Sequence, residues 1–179
     1  MSLLRGRIMF QRTISILIFS ILLLGGCSSH VNKKSVHLPL NKKYAIASFW
    51  NYTETPMAGL RSATIVESVL AQKNLAVASL IGGSEELVSS KSKQAFLKTK
   101  IAEAKALGVD YLIFGNVQEW RYKTGIDGEP VVSYSMKVVN LKSGAILFNG
   151  VGAKSGWGHK SIGVVAQEIA EELIPQFIN

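Results

Sequence analysis

Tyr111-Leu112-Ile113-Phe114-Gly115-Asn116-Val117-Gln118-Glu119-Trp120-Arg121-Tyr122 is the stretch that decides the fold, because two further runs of the same alternating kind follow it. Leu112, Phe114 and Asn116 alternate against Ile113, Gly115 and Val117, a period of two that belongs to strands rather than helices. Pro130 to Leu141 places Val132, Tyr134, Met136 and Val138 on one face, with Ser133, Ser135 and Lys137 on the other. Lys142-Ser143-Gly144 then turns the chain into Ala145 to Ala153. The pattern predicts a three-stranded antiparallel meander covered on one side and wet on the other.

The segments on either side supply the cover. After the meander, a helix is expected from Ser161, with Ile162, Val165, Ala166, Ile169, Ala170, Leu173 and Phe177 opposing Glu168, Glu171 and Glu172. Before it, Lys43 to Trp50 reads as a strand carrying Tyr44, Ile46 and Phe49, ended by the polar turn Asn51-Tyr52-Thr53-Glu54-Thr55-Pro56. Leu60, Ala63, Ile65, Val69 and Leu70 fall at helical spacing, and Lys73-Asn74 ends that helix. A second strand follows at Leu75 to Leu80. A second helix is expected from Lys91 to Leu107, with Phe96, Ile101, Ala104 and Leu107 on its apolar face and Gly108 as its stop. The order β-α-β-α-β-β-β-α predicts an α+β domain over residues 43–179, a mixed sheet of about five strands with helices packed on one face.

The N-terminus reads as an address. Arg5, Arg7 and Arg12 precede the eleven apolar-rich residues Ile14 to Leu24, too short for a bilayer span of about 20 residues. Leu24-Gly25-Gly26-Cys27 closes the run with the chain's one cysteine, and the arrangement resembles the lipobox of bacterial lipoproteins. The expectation is a signal peptide over residues 1–26 and lipidation of Cys27. Ser28 at the next position favours the outer membrane over the inner. Several acyl chains at about 0.8 kcal/mol per buried methylene would hold almost irreversibly. Residues 27–42, with Lys33-Lys34 and Pro39 and no apolar period, read as the lipidated cysteine and a short tether. Its thirteen residues Ser28 to Leu40 reach at most roughly 45 Å.

Charge and side-chain chemistry exclude more than they select. Without residues 1–26 the chain has 17 Lys/Arg against 12 Asp/Glu, a net charge of +5 rather than +8. The basic residues are dispersed and no aromatic residues interleave with a basic stripe, which excludes nucleic-acid binding. His30, His37 and His159 have no metal-ligand spacing and suggest no catalytic triad. Glu85-Glu86 and Glu171-Glu172 are adjacent carboxylates whose side chains diverge, as on solvated helix faces. Gly150, Gly152, Gly156 and Gly158 lack the Lys-Ser/Thr tail of a phosphate loop. No enzymatic activity, metal or cofactor is expected. Trp157 stands between glycines with Lys154 and Lys160 on its flanks, a grouping that suits either a membrane interface or packing against the last helix.

Asn51-Tyr52-Thr53-Glu54-Thr55-Pro56, then Ala58-Gly59 and Arg61, then Gly108 to Gly115 entering the meander, and Gly156-Trp157 before the last helix, together carry a resemblance. The chain resembles the periplasmic domain of the CsgG and LpoB superfamily, and within it the PelC-like lipoproteins of Pel exopolysaccharide export. The resemblance implies a non-enzymatic outer-membrane lipoprotein that forms a ring, a dodecamer, at the periplasmic mouth of an export porin. Its partners would be copies of itself, the porin, outer-membrane lipid and a cationic rather than anionic polysaccharide. The family's signature loop maps onto Asn51, Thr53, Glu54, Thr55, Pro56 and Gly59, and its membrane-contacting aromatics onto Trp157. Pro56 and Gly59 also suit plain turn chemistry, with Thr53 or Thr55 bonding nearby backbone amides. The wet sheet edge and the first helix could supply the heterologous interfaces of a ring. A guiding ring would present carboxylates, and Asp110, Glu119, Asp127 and Glu129 are the candidates. An LpoB-like activator of a cell-wall synthase would need a longer tether, and a CsgG-like channel would need further membrane-spanning hairpins.

Overall fold

Strands β5 (Tyr111–Tyr122), β6 (Pro130–Asn140) and β7 (Ile146–Ser155) pair antiparallel and make the predicted meander. The computed structural model describes residues 29–30, 36–82, 90–125, 128–157 and 159–178. Four short strands extend the sheet: β1 (Ser29–His30), β2 (Tyr44–Ala47), β3 (Trp50–Asn51) and β4 (Val77–Leu80). Their order is β1-β7-β6-β5-β2-β4, with β3 also on β5. The helices are α1 (Ala58–Gln72), α2 (Ser90–Ala106) and α3 (Ile162–Leu173), the last continued by a 3-10 turn at Ile174–Gln176. The α+β class, the mixed sheet and the order of the main elements are those expected from the sequence.

The expected single strand from Lys43 to Trp50 is two. The Ser48 hydroxyl and Gly82 exchange hydrogen bonds at 2.8 and 3.3 Å, and the Phe49 amide donates to the Gly59 carbonyl. These bonds draw residues 48 and 49 out of the ladder. The chain then rejoins β5 as β3, where Trp50 lies opposite Asn116.

Helices α1 and α3 cover the face formed by Tyr44, Ile46, Ile113, Val132, Tyr134, Met136 and Phe148. Helix α2 lies on the opposite face, where Leu97, Ile101 and Ala104 meet Ala45, Ala47 and Leu112. This departs from the one-faced arrangement expected, and parallel topology explains it. β4 and β5 both run parallel to β2, on its two sides. The β2-α1-β4 crossover steps one way across the sheet and β4-α2-β5 steps back. Right-handed crossovers of opposite direction put their helices on opposite faces. Leu107, expected on the apolar face of α2, is 55% exposed, because Gly108 at φ 65° stops the helix just before it.

The segment read as a free tether is held at two points. Ser29 and His30 pair with Ala153 and Gly152 on the β7 edge, and Leu38, 5% exposed, donates its amide to the Phe177 carbonyl at 2.8 Å. A single leucine leaves no period to read, yet it fills the space beside Phe177 and Ile178.

The glycines of β7 that hold no phosphate have a packing role. A Cβ at Gly152 would lie 2.3 Å from Ile169 Cγ2, and one at Gly150 would lie 3.1 Å from Leu173 Cδ2. Without side chains there, α3 rests directly on the strand, and the Tyr134 hydroxyl can donate to the Ala166 carbonyl at 2.9 Å. Gly152→Val therefore overpacks this seat and should cost about 1–3 kcal/mol. Thermal denaturation checks it: the melting temperature falls, whereas Val151→Thr, at an exposed position on the other face, leaves it unchanged.

Candidate functional site: a pinned loop, a cleft and an exposed tryptophan

The loop after β3 is fixed by its own polar side chains. Asn51 Oδ1 accepts from the Thr53 amide at 2.9 Å and the Thr53 hydroxyl at 2.8 Å, and Asn51 Nδ2 donates to the Thr55 carbonyl at 2.8 Å. This is an asparagine-centred turn, the chemistry that favours Asn and Thr here. The Thr55 amide donates to Thr53 Oγ1 as anticipated, but the Thr55 hydroxyl reaches across to the Trp120 carbonyl at 2.5 Å. The Tyr52 amide donates to the Val117 carbonyl. Pro56 is exposed and leads into Met57, whose left-handed φ of 61° caps α1 without a side-chain bond; Gly59 is buried in the first turn. The loop is thus tied to the end of β5 at two places.

Between this loop and β5 lies an open cleft of about 410 Å³. Its walls include Tyr52, Glu54, Gln118, Glu119, Arg121 and Ser133. The register of β5 against β6 shifts between Val117 and Glu119, leaving Gln118 without a partner in the ladder. Such bulges re-aim side chains beside functional sites. Arg121 Nη2 holds Glu119 at 2.6 Å, and among the described residues Glu54 has no ion pair. Tyr52, 56% exposed, carries the Lys93 ammonium 4.7 Å from its ring centroid, and the same ammonium stands 5.9 Å from the Trp50 ring.

Of the proposed polymer-facing carboxylates, Asp110 and Glu119 lie at opposite ends of β5. The Asp110 carboxylate accepts from the Lys43 amide at the start of β5, whereas Glu119 lies nine residues along the strand, about 30 Å away. Glu129 is paired with Lys123 at 2.7 Å, and Asp127 lies outside the described residues. The pairing of Glu54 with Glu119 across one cleft is the arrangement that sequence reasoning missed. Its cue is the loop motif itself, but the bulge that completes the cleft has no sequence signature.

At the far end of β7, Trp157 is 77% exposed and does not pack against α3 as core. The two lysines expected to accompany it toward lipid headgroups are engaged elsewhere. Lys154 bridges Glu168 at 2.9 Å and Glu172 at 2.8 Å, and Lys160 meets Glu168 at 2.5 Å. Lys154 clamps α3 to β7, and Lys160 ties the loop before α3 to the same carboxylate. Tyr122, half exposed at the same end, accepts the Ile162 amide. Leu24, Gly25, Gly26 and Cys27 lie outside the described residues. Ser29 pairs with Ala153 near the end of β7. No helix among the described residues is long and apolar enough to cross a membrane.

The clamp titrates. The Lys160 hydrogen bond, and then that of Lys154, hold the Glu168 carboxyl below its ordinary value of 4.5 against the opposing effect of burial. The Glu172 hydrogen bond in first place holds Lys154 above 10.5. A depressed carboxyl stabilises the fold above its unfolded pKa and loses that contribution as pH falls through the folded one. A raised lysine contributes below 10.5 and loses the contribution as pH rises through its folded value. The melting temperature should decline as pH drops below about 4.5. In Glu168→Gln it should be lower at pH 7 and less sensitive to acid.

No family model and no curated sequence matches the chain. Solved structures do. The PelC dodecamer of Paraburkholderia phytofirmans in space group P6 superposes with a TM-score of 0.70 at 26% identity, over 84% of this chain and 98% of that one. The chain is similar to PelC in fold and sequence. A single-residue variant of the same dodecamer, in space group C2, gives 0.67 at 27% identity, over 84% and 96%. Lipoprotein GNA1162 of Neisseria meningitidis shares the fold, with a TM-score of 0.53 at 13% identity over 75% and 96%. The chain thus shares its fold with these proteins.

Proposed function

We propose that this chain is a non-enzymatic outer-membrane lipoprotein, anchored through Cys27, that assembles into a ring assisting export of a biofilm exopolysaccharide through a porin. The observation that carries the reading is the match to the PelC dodecamer across nearly all of that chain at 26% identity. Residues 1–26 are the signal peptide and residues 43–179 the ring-forming domain. The lipid and Trp157 supply the membrane contact, and the pairing of Ser29 with Ala153 brings β1 to the half of β7 that leads to Trp157. An indole in an exposed loop is suited to the headgroup region, being apolar over most of its surface with one donor. With Lys154 and Lys160 committed to Glu168 and Glu172, this contact is apolar more than electrostatic. Many copies around one pore would sum their fields on a passing polymer.

Native mass spectrometry and negative-stain microscopy of the full-length lipidated protein in detergent test the reading. Closed rings of about twelve subunits are expected, and deletion of the gene should abolish the secreted matrix without sensitising cells to cell-wall antibiotics. A strict monomer at high concentration, or the opposite deletion phenotype, would move the protein to a synthase-activator role. In the same preparation reconstituted into vesicles, Trp157→Ala should remove the blue-shifted, lipid-quenchable part of the tryptophan fluorescence and leave the ring mass unchanged.

A further inference from the structure

The two ends of the sheet expose different chemistry. Trp157 follows the end of β7, beside the start of β6 and the end of β5. At the other end, where β2, β5 and β7 begin, three aliphatic side chains stand half out of the fold: Leu40 at 49% exposed, Leu107 at 55% and Ile146 at 54%. They come from three separate stretches of chain. Leu40 lies in the turn that the Lys42 amide closes on the Pro39 carbonyl, Leu107 follows the last turn of α2, and Ile146 opens β7. Strand pairing gathers them. The Asp110 amide donates to the Lys43 carbonyl at 2.9 Å, the Leu141 amide to the Asp110 carbonyl at 2.9 Å, and the Asn140 amide to the Ala145 carbonyl at 2.9 Å. From β2 across β5 and β6 to β7 is three strand spacings, about 14 Å. Single exposed apolar residues are ordinary, but a cluster rimmed by polar groups marks a place of contact.

The rim of this cluster is cationic. Lys42, Lys43, Lys105 and Lys142 are exposed there, and among the described residues none of them has an ion pair. The carboxylate among them is Asp110, which accepts the Lys43 amide at 3.0 Å. The four lysines share a span of less than twice the screening length of about 8 Å at physiological salt, so their fields add. Two such ends repel each other, which disfavours a contact between like ends of two copies. Lipid fits no better, because β5 separates this end from the Trp157 end by about 36 Å. We infer that this end is a docking face for an acidic, amphipathic segment of a second protein, whose apolar residues cover Leu40, Leu107 and Ile146 while its carboxylates meet the four lysines. The inference deepens the export reading and rests on it for the direction this end faces, away from the membrane; the chemistry of the partner comes from the face itself.

Photocrosslinking in cells tests it, with the full-length lipoprotein carrying Leu107→p-benzoylphenylalanine and, as a control, Thr64→p-benzoylphenylalanine on the exposed side of α1. A product with a second protein is expected from position 107 and not from position 64, and mass spectrometry should find Asp and Glu outnumbering Lys and Arg in the captured peptide. Lys105→Glu combined with Lys142→Glu should cut the yield roughly tenfold, and exchanging two carboxylates of the captured peptide for lysines should restore it. The double variant should keep its melting temperature and its ring mass; a changed ring mass makes the face a contact between copies and overturns the inference. So does the absence of a product, a product with the chain itself or with lipid, a neutral or basic captured peptide, or a yield that charge reversal leaves unchanged. Failure of the cross-link with rings and matrix secretion intact strikes this face alone. The acidic cross-link from a protein that stays monomeric and whose deletion spares the matrix leaves the docking face standing and overturns export.

Discussion

Strand β5 is paired along both edges, parallel to β2 and β3 on one side and antiparallel to β6 on the other, and every other element takes its place from it. Its first half carries Tyr111, Leu112 and Ile113, buried on both faces because α1 and α2 lie on opposite sides there. Its second half loses the cover on one face, and the residues change accordingly to Asn116, Gln118, Glu119 and Arg121. The bulge falls in that half. A strand buried on both sides could not tolerate an unpaired residue so cheaply, since each orphaned backbone group would need a partner away from water. The fold therefore confines its irregularity to the place where water can reach it.

Legibility in the sequence follows the same division. Alternation in 111–122 and 130–141 is plain because one face is uniformly apolar, and the last helix is plain because Val165, Ala166, Ile169 and Ala170 share a stripe. The placement of α2 is not, since amphipathicity says that a helix packs on a sheet but not which face it meets. Only the topological order of β2, β4 and β5 decides that. Leu38 and the two residues of β1 are equally invisible, for contacts made by one or two residues have no period. The loop 51–56 is recognisable as a unit, but its partner across the cleft depends on the bulge at Gln118.

The lysines beside Trp157 show how a surface-like composition can mislead. Lys154 and Lys160 flank an exposed indole in the chain, yet α3 brings Glu168 and Glu172 to meet them. Helical spacing of four residues puts both carboxylates on one side of α3, over the β7 strand that carries Lys154. The network is largely structural, and at partial exposure such pairs contribute modestly, about 1 kcal/mol or less each. The exposed aromatic side chains at that end, among the described residues, are Trp157 and Tyr122, whose hydroxyl accepts the Ile162 amide.

The two features of the site are neighbours in the fold. The cleft occupies the end of β5 that pairs with the start of β6, and Trp157 follows the end of β7 that pairs with the same residues, Pro130 and Val131 lying between them. Two strand spacings, about 10 Å, separate β5 from β7. The pinned loop, the bulge and the exposed indole therefore gather at one end of the meander, around Pro130 and Val131, where the sheet has lost the cover that buries the first half of β5 on both faces.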